Sequence, residues 1–317
     1  MLNTFPNKDK LVMKDKFKER YQELLGEDFD TFVEYSFSFL NRAIRVNTLK
    51  ITTKELVARL EPNWILKPVP WYADAFWIEP RTSGRRDIGN IPEHTLGYFY
   101  VQDPASMIPP LCMELQEDDV VLDMCSAPGS KTTEIAQLMN NKGLLIANEL
   151  TGTRISALGI NLTRMGVTNT VVNHQNAMAI RKDLMFTKIL VDTSCSATGT
   201  IRKSPSCLRM WNPGLVCRLA KLQMKMLEVA YARLLPGGIL VYSTCTLEPQ
   251  ENEGAISNFL KLHEDMDVLD IDLKINKGKP VMAFEGEEYD ARVEKTLRIY
   301  PQDNDTEGFF VAKLKKN

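Results

Sequence analysis

A chain of 317 residues that is 44% hydrophobic and 25% charged has ordinary globular composition, with length enough for one large domain and a smaller companion. Its formal net charge of −2 gives no global basic signature, so any nucleic-acid contact must rest on local clusters. Six cysteines form no Cys-x-x-Cys pair and only three histidines accompany them, which suits neither a metal site nor a disulfide framework; reduced thiols and a cytoplasmic protein are expected.

Residues 1–28 are thick with Lys, Glu and Asp and contain no continuous apolar run, so they read as an amphipathic helix and not as a signal peptide or membrane anchor. Helical spacing marks residues 14–25 and 53–60, and short runs follow around Trp64, Trp71 and Trp77. Residues 1–95 are therefore expected to form a small α+β module, joined through a packed junction near 85–97 to a larger domain over 96–317. Basic residues gather at Arg42, Arg45, Lys50 and Lys54, at Arg81, Arg85 and Arg86, and at Arg202, Lys203, Arg209, Arg218, Lys221 and Lys225, so a basic face can coexist with an acidic remainder.

From residue 118 onward apolar runs alternate with helical stretches, as in a parallel sheet of βαβ units. Strands are expected over 120–124, 144–148, 170–173, 188–192 and 238–243. Helices are expected over 131–140, 153–165 and 215–234, the last stopped by Pro236-Gly-Gly238, and a further helix over 250–263 leads into a run at 268–271. Residues 308–314 alternate like a final strand suited to antiparallel insertion at the sheet edge. The fold class is α/β, and the order resembles the class I methyltransferase variant of the Rossmann architecture.

After the first of these strands comes Asp123-Met-Cys125-Ser126-Ala127-Pro128-Gly129-Ser130-Lys131, a small-residue turn opening a helix, where backbone amides can meet an anionic group. A triphosphate loop needs glycine where Ser130 and Cys125 stand, and the three-glycine dinucleotide fingerprint is missing. A looser cradle for a smaller adenosine ligand remains. Glu149, ending the next strand, is placed to accept from both hydroxyls of a ribose, Arg154 follows it, and Asn176 can offer an amide to an adenine edge. Together these strand ends describe an S-adenosylmethionine pocket.

Two cysteines sit just past buried runs, in Ile189-Leu-Val-Asp192-Thr-Ser-Cys195-Ser196 and Ile239-Leu-Val-Tyr-Ser-Thr-Cys245-Thr246. The carboxyl ends of strands are where an open α/β sheet does its chemistry, so two thiols delivered there can converge on one substrate.

With Arg45-Val-Asn47, Tyr100-Val-Gln-Asp-Pro-Ala-Ser106, the cofactor loop, both cysteine segments and Gly308-Phe-Phe310, the chain resembles the Sun-domain (Nop/Sun) family of RNA cytosine-5 methyltransferases. The resemblance implies that Cys245 is the nucleophile, Cys195 the thiol that assists product release, and that Asp192 and Lys131 complete the catalytic set. It implies S-adenosylmethionine as cofactor, bound by residues 125–131, Glu149, Arg154, Asn176 and Asp192. The substrate is expected to be RNA, and tRNA on the strength of Val69-Pro-Trp-Tyr-Ala-Asp74 and Gly199-Thr-Ile-Arg-Lys203, met by a monomer whose 1–95 module, with Arg45, Lys50 and its tryptophans, holds the RNA. Ribosomal RNA, or a non-catalytic RNA-binding role, is the alternative. Ser194 stands where the family usually has proline, and losing that fixed φ would loosen the loop bearing Cys195.

Overall fold

The computed structural model describes residues 2–6, 13–82 and 87–317; Arg85 and Arg86 of the second basic cluster lie outside them. Strands β1 (Ala43–Val46), β2 (Trp64–Val69), β3 (Tyr72–Pro80) and β4 (Phe99–Val101) form an antiparallel sheet in the order β2-β3-β1-β4. Its apolar face, with Ile44, Val46, Phe76 and Phe99, is covered by Leu56 and Leu60 of the helix Thr53–Leu60. That helix begins where the sequence suggests because Thr52 and Glu55 exchange side-chain-to-backbone bonds, satisfying amides that the first turn leaves open.

Strands β5 (Val120–Asp123), β6 (Leu144–Glu149), β7 (Thr170–His174) and β8 (Phe186–Asp192) pair in parallel, β5 lying between β6 and β8. Parallel neighbours need crossovers, supplied here by the helices Ser130–Leu138 and Gly152–Met165. Val121, Leu122, Leu145, Ala147, Ile189 and Leu190 are buried, as the unbroken apolar runs of a sheet covered on both faces require.

The remaining strands are β9 (Leu234–Thr244), β10 (Met266–Leu269), the hairpin β11 (Ala283–Phe284) and β12 (Glu287–Glu288), β13 (Leu297–Ile299) and β14 (Phe309–Lys316). The large sheet runs β10-β14-β9-β8-β5-β6-β7, with β13 antiparallel on β14. The closing strand is thus interior and not at the edge: Phe309, Phe310, Val311 and Ala312 are all buried, so its expected alternation is only partial. A second difference concerns the helix Pro213–Tyr231, which ends before Pro236 because the chain has entered β9 by Leu234. Pro236 and Gly237 occupy the exposed start of that strand, a position where proline costs no ladder bond.

The chain forms two compact units. The first comprises Met1–Leu40, Thr193–Glu228 and Tyr242–Leu314, the second Asn41–Asp192, Val229–Val241 and Lys315–Asn317. The helix Asp15–Leu25 turns Phe17 and Tyr21 into one core with Phe32, Trp211 and Leu247, all residues of the first unit. Among the described residues no helix is long and apolar enough to cross a membrane, and no cluster of His, Cys, Asp and Glu is suited to a metal ion.

Candidate active site

In the second unit the loop after β5 is fixed by bonds to the helix it opens, to the end of β6 and to the helix Gly152–Met165. Asp123 is buried and accepts from Thr132 Oγ1 at 2.7 Å; burial pushes its carboxyl up to about 7. Ser126 donates from both its amide and its hydroxyl to the Asn148 carbonyl at 2.9 Å, and Asn148 Nδ2 donates to Met124 O at 3.1 Å, which pins the loop to the end of β6. Gly129, at φ +105°, turns the chain into the helix Ser130–Leu138, and only glycine adopts that angle without strain. Arg154 donates to the Ala127 carbonyl and Asn161 to that of Pro128, so the outer side of the loop is held as well.

Lys131 Nζ donates to Asp192 Oδ2 at 2.8 Å and to Ser106 Oγ at 3.1 Å. The predicted pair of Lys131 and Asp192 is therefore brought together, with Ser106 as a third member that the sequence did not single out. Glu149 is buried. Its Oε1 accepts from the Thr151 amide at 2.9 Å; its Oε2 lies 3.3 Å from Arg154 Nη1 and receives no hydrogen bond. Asn176 is exposed and its Oδ1 caps the Met178 amide at 3.0 Å. Burial, with Asp123, Asp192 and Glu149 nearby, pushes the Cys125 thiol up to about 12, so it lines the loop as a neutral group.

These residues fit S-adenosylmethionine. A buried carboxylate oxygen lacking a donor is costly unless something supplies one, and a ribose hydroxyl would. The loop amides at the start of the helix Ser130–Leu138 would meet the ligand's carboxylate.

In the first unit the two predicted cysteines do converge. Cys195 Sγ and Cys245 Sγ are 3.1 Å apart. Their segments are laced by hydroxyls: Thr246 Oγ1 lies 2.7 Å from Ser196 Oγ and 2.9 Å from Thr198 Oγ1, and Tyr21 donates to Thr198 Oγ1 at 2.6 Å. Gly199 N donates to the Cys245 carbonyl at 3.0 Å and Gly308 N to the Gly199 carbonyl at 2.8 Å. A Cβ at Gly199 would collide with Gly308 O and come within 2.8 Å of Cys245 O. Ala197 holds φ +59°, a left-handed angle that suits glycine better.

Two side chains that the sequence reading passed over complete this arrangement. Gln223 Nε2 donates to Ser194 O at 3.1 Å and to Glu251 Oε2 at 2.8 Å; the same Glu251 oxygen accepts from the Ser196 amide at 3.1 Å. Burial pushes Glu251 up to about 7. The hydrogen bond with Cys245, then burial, then the charges of Cys245 and Glu251 push the Cys195 thiol well up, so it holds its proton. The only sequence signal for Glu251 was a polar run, Gln250-Glu-Asn252, soon after Cys245.

The basic clusters resolve unequally. Arg45, expected to hold RNA, is fully buried and donates to Gln102, Gln137 and Thr133 at 3.2, 3.0 and 2.8 Å, which withdraws it from any phosphate. Lys50 Nζ is engaged by the carbonyls of Leu96 and Arg164. Trp64 and Trp71 are core residues. Arg202 is buried against the carbonyls of Thr306 and Phe39, whereas Lys203, Arg209, Arg218, Lys221 and Lys225 are exposed.

A parallel sheet with a small-residue loop after β5 and a carboxylate ending β6 defines a class I methyltransferase. The fold matches that of a solved methyltransferase homologue from Pyrococcus horikoshii with a TM-score of 0.86, 34% identity, and coverage of 99% of this chain and 100% of that one. NSun6 from the same organism matches in fold with a TM-score of 0.83 at 24% identity, over 96% of this chain and 98% of that one. Residues 110–315 match the family described as 16S rRNA methyltransferase RsmB/F, and residues 13–104 the N-terminal domain of 16S rRNA methyltransferase RsmF. The chain belongs to the RsmB/F family, whose members are S-adenosylmethionine-dependent RNA cytosine-5 methyltransferases. It is 41% identical to the tRNA (cytosine(49)-C(5))-methyltransferase of Pyrococcus abyssi, over 95% of this chain and 96% of that protein. It is 40% identical to the ribosomal RNA small subunit methyltransferase F of Shewanella frigidimarina over 90% of this chain, yet spans only 58% of that relative.

Proposed function

We propose that this protein transfers a methyl group from S-adenosylmethionine to carbon 5 of a cytosine in tRNA, with Cys245 as nucleophile and Cys195 assisting release. The observation that carries the assignment is the 3.1 Å approach of the two sulfurs, one of which keeps its proton. Carbon 5 of cytosine is too electron-poor to accept a methyl group unaided. Addition of the Cys245 sulfur to carbon 6 turns the ring into an enamine-like nucleophile. As sulfur attacks, ring nitrogen 3 takes up the proton that Cys245 gives up, so no negative charge is left on the ring, and Asp192, steadied by Lys131, accepts from the exocyclic amine and from that protonated nitrogen, which returns its proton to solvent on release. Bound at the loop, S-adenosylmethionine supplies the electrophilic methyl group.

Release then requires carbon 5 to lose its proton and the carbon 6–sulfur bond to break. The bonding pair returns to Cys245 sulfur, which takes the proton offered by Cys195; the proton leaving carbon 5 restores the Cys195 thiol through solvent. The choice of tRNA is supported by the tracts Val69-Pro-Trp-Tyr-Ala-Asp74 and Gly199-Thr-Ile-Arg-Lys203 and by the 41% identity to the archaeal tRNA enzyme. Phosphate contact falls to Arg218, Lys221 and Lys225, which share one exposed arc of the helix Pro213–Tyr231.

The test is to incubate the protein, Cys195→Ala and Cys245→Ala with labelled cofactor and either tRNA or small-subunit ribosomal RNA, then map 5-methylcytosine. No product is expected from Cys245→Ala, and a denaturation-resistant protein–RNA adduct from Cys195→Ala. Product from Cys245→Ala overturns the nucleophile; methylation confined to ribosomal RNA overturns the substrate.

A further inference from the structure

We infer that Gln223 and Glu251 are positioning residues that hold Cys195 for product release, an inference resting on the assignment of that step to Cys195. Cys195 is joined to its neighbours by two peptide groups, and a side chain grips each of them. The carbonyl of Ser194 accepts from Gln223 Nε2, and the amide of Ser196 donates to Glu251 Oε2. The grips are themselves tied, because Gln223 Nε2 also donates to that Glu251 oxygen at 2.8 Å. The result is a closed clamp on one residue, built from the long helix Pro213–Tyr231 and the turn Pro249–Glu251.

Three features argue that the clamp serves Cys195 and is not generic packing. The segment has Ser194 where the family usually has a φ-fixing proline and Ala197 at φ +59°, so its local backbone preferences favour this conformation less than proline and glycine would. The clamp also leaves two buried oxygens, Gln223 Oε1 and Glu251 Oε1, without hydrogen bonds, a cost that an apolar pair of the same size would avoid. Finally, the Glu251 charge acts on the Cys195 thiol in the direction that keeps it protonated, the state from which it can donate to a departing sulfur.

The experiment follows single-turnover methyl transfer and the steady-state fraction of protein trapped in a denaturation-resistant RNA adduct, for the full chain and for Gln223→Ala, Glu251→Gln and Cys195→Ala. Loss of a hydrogen bond to a charged group is worth roughly tenfold. We expect Gln223→Ala to accumulate about tenfold more adduct than the unaltered protein while methyl transfer stays within about threefold. Glu251→Gln, of equal volume, shows the same imbalance to a smaller degree and decides the matter should Gln223→Ala not fold. Equal slowing of transfer and release, or unaltered adduct in a folded variant, overturns the positioning role. If Cys195→Ala itself traps no adduct, the assignment of release to Cys195 has failed instead.

Discussion

The cofactor loop and the thiol segments are secured over very different distances along the chain. Thr132 reaches Asp123 across nine residues and Thr151 reaches Glu149 across two, while Asn148, Arg154 and Asn161 hold the loop from 22, 27 and 33 residues away. The thiol segments depend on Ser196 meeting Thr246 across fifty residues and on Glu251 meeting Ser196 across fifty-five. A site built from near neighbours survives as a pattern in the sequence, whereas one built from distant partners exists only once the sheet has formed. The first kind loses function one contact at a time; the second loses it together with its shape.

The largest effect is expected at Asp192, whose bond from Lys131 spans 61 residues and so belongs with the distant kind although it lies beside the loop. Asp192→Asn keeps the side chain's size but weakens the bond from Lys131 and, on the proposed mechanism, removes the charge offered to the base; kcat is expected to fall about 10²–10³-fold, measured under saturating cofactor. Glu149→Ala removes the buried acceptor that the proposed function assigns to the ribose. Cofactor affinity should weaken about 10–100-fold by titration calorimetry with the melting transition hardly moved, as expected of a local site. Gly199→Ala is the counterpart in the thiol unit. The added Cβ meets Gly308 and Cys245 backbone, so chemical denaturation should register a loss of about 1–3 kcal/mol, with activity falling in step. Ala197→Gly goes the other way: relief of the left-handed angle should stabilise the protein by about 1 kcal/mol.

The smallest expected effect concerns pH. Burial raises Glu134 from 4.5 to about 8, so the folded protein binds that proton more tightly than the unfolded chain does. Its contribution to stability is fully present below about pH 4.5 and is lost as pH rises through about 8. Glu134→Gln, which still accepts from Gln102, should flatten that fall in denaturation profiles taken from pH 4 to 8, and an unchanged slope would rule out Glu134 as its source.

Much of the fold was legible because periodicity is local. The strands β5 to β8 and the helix Gly152–Met165 fall within two residues of their expected limits. The closing strand was misjudged because alternation reports one face at a time, and β14 is buried between β9 and β10. Arg45 looked like a phosphate ligand because sequence shows its charge but not Gln102, Gln137 and Thr133 around it. The cysteines were visible as strand-end thiols. Gln223 and Glu251 were not, since nothing local distinguishes a polar residue that grips a distant backbone from one that faces water.

The bond from Gly308 to Gly199, which in turn donates to Cys245, also sets a schedule. During synthesis both cysteines leave the ribosome before Gly308 does, and at roughly 5–20 residues per second the interval lasts some seconds. Throughout that time a pair of neighbouring thiols exists without the backbone partner that completes its frame. A nascent chain is therefore chemically armed before it is architecturally finished, and a premature stop between residues 251 and 308 releases a product with both sulfurs but without the Gly308 bond that closes their frame.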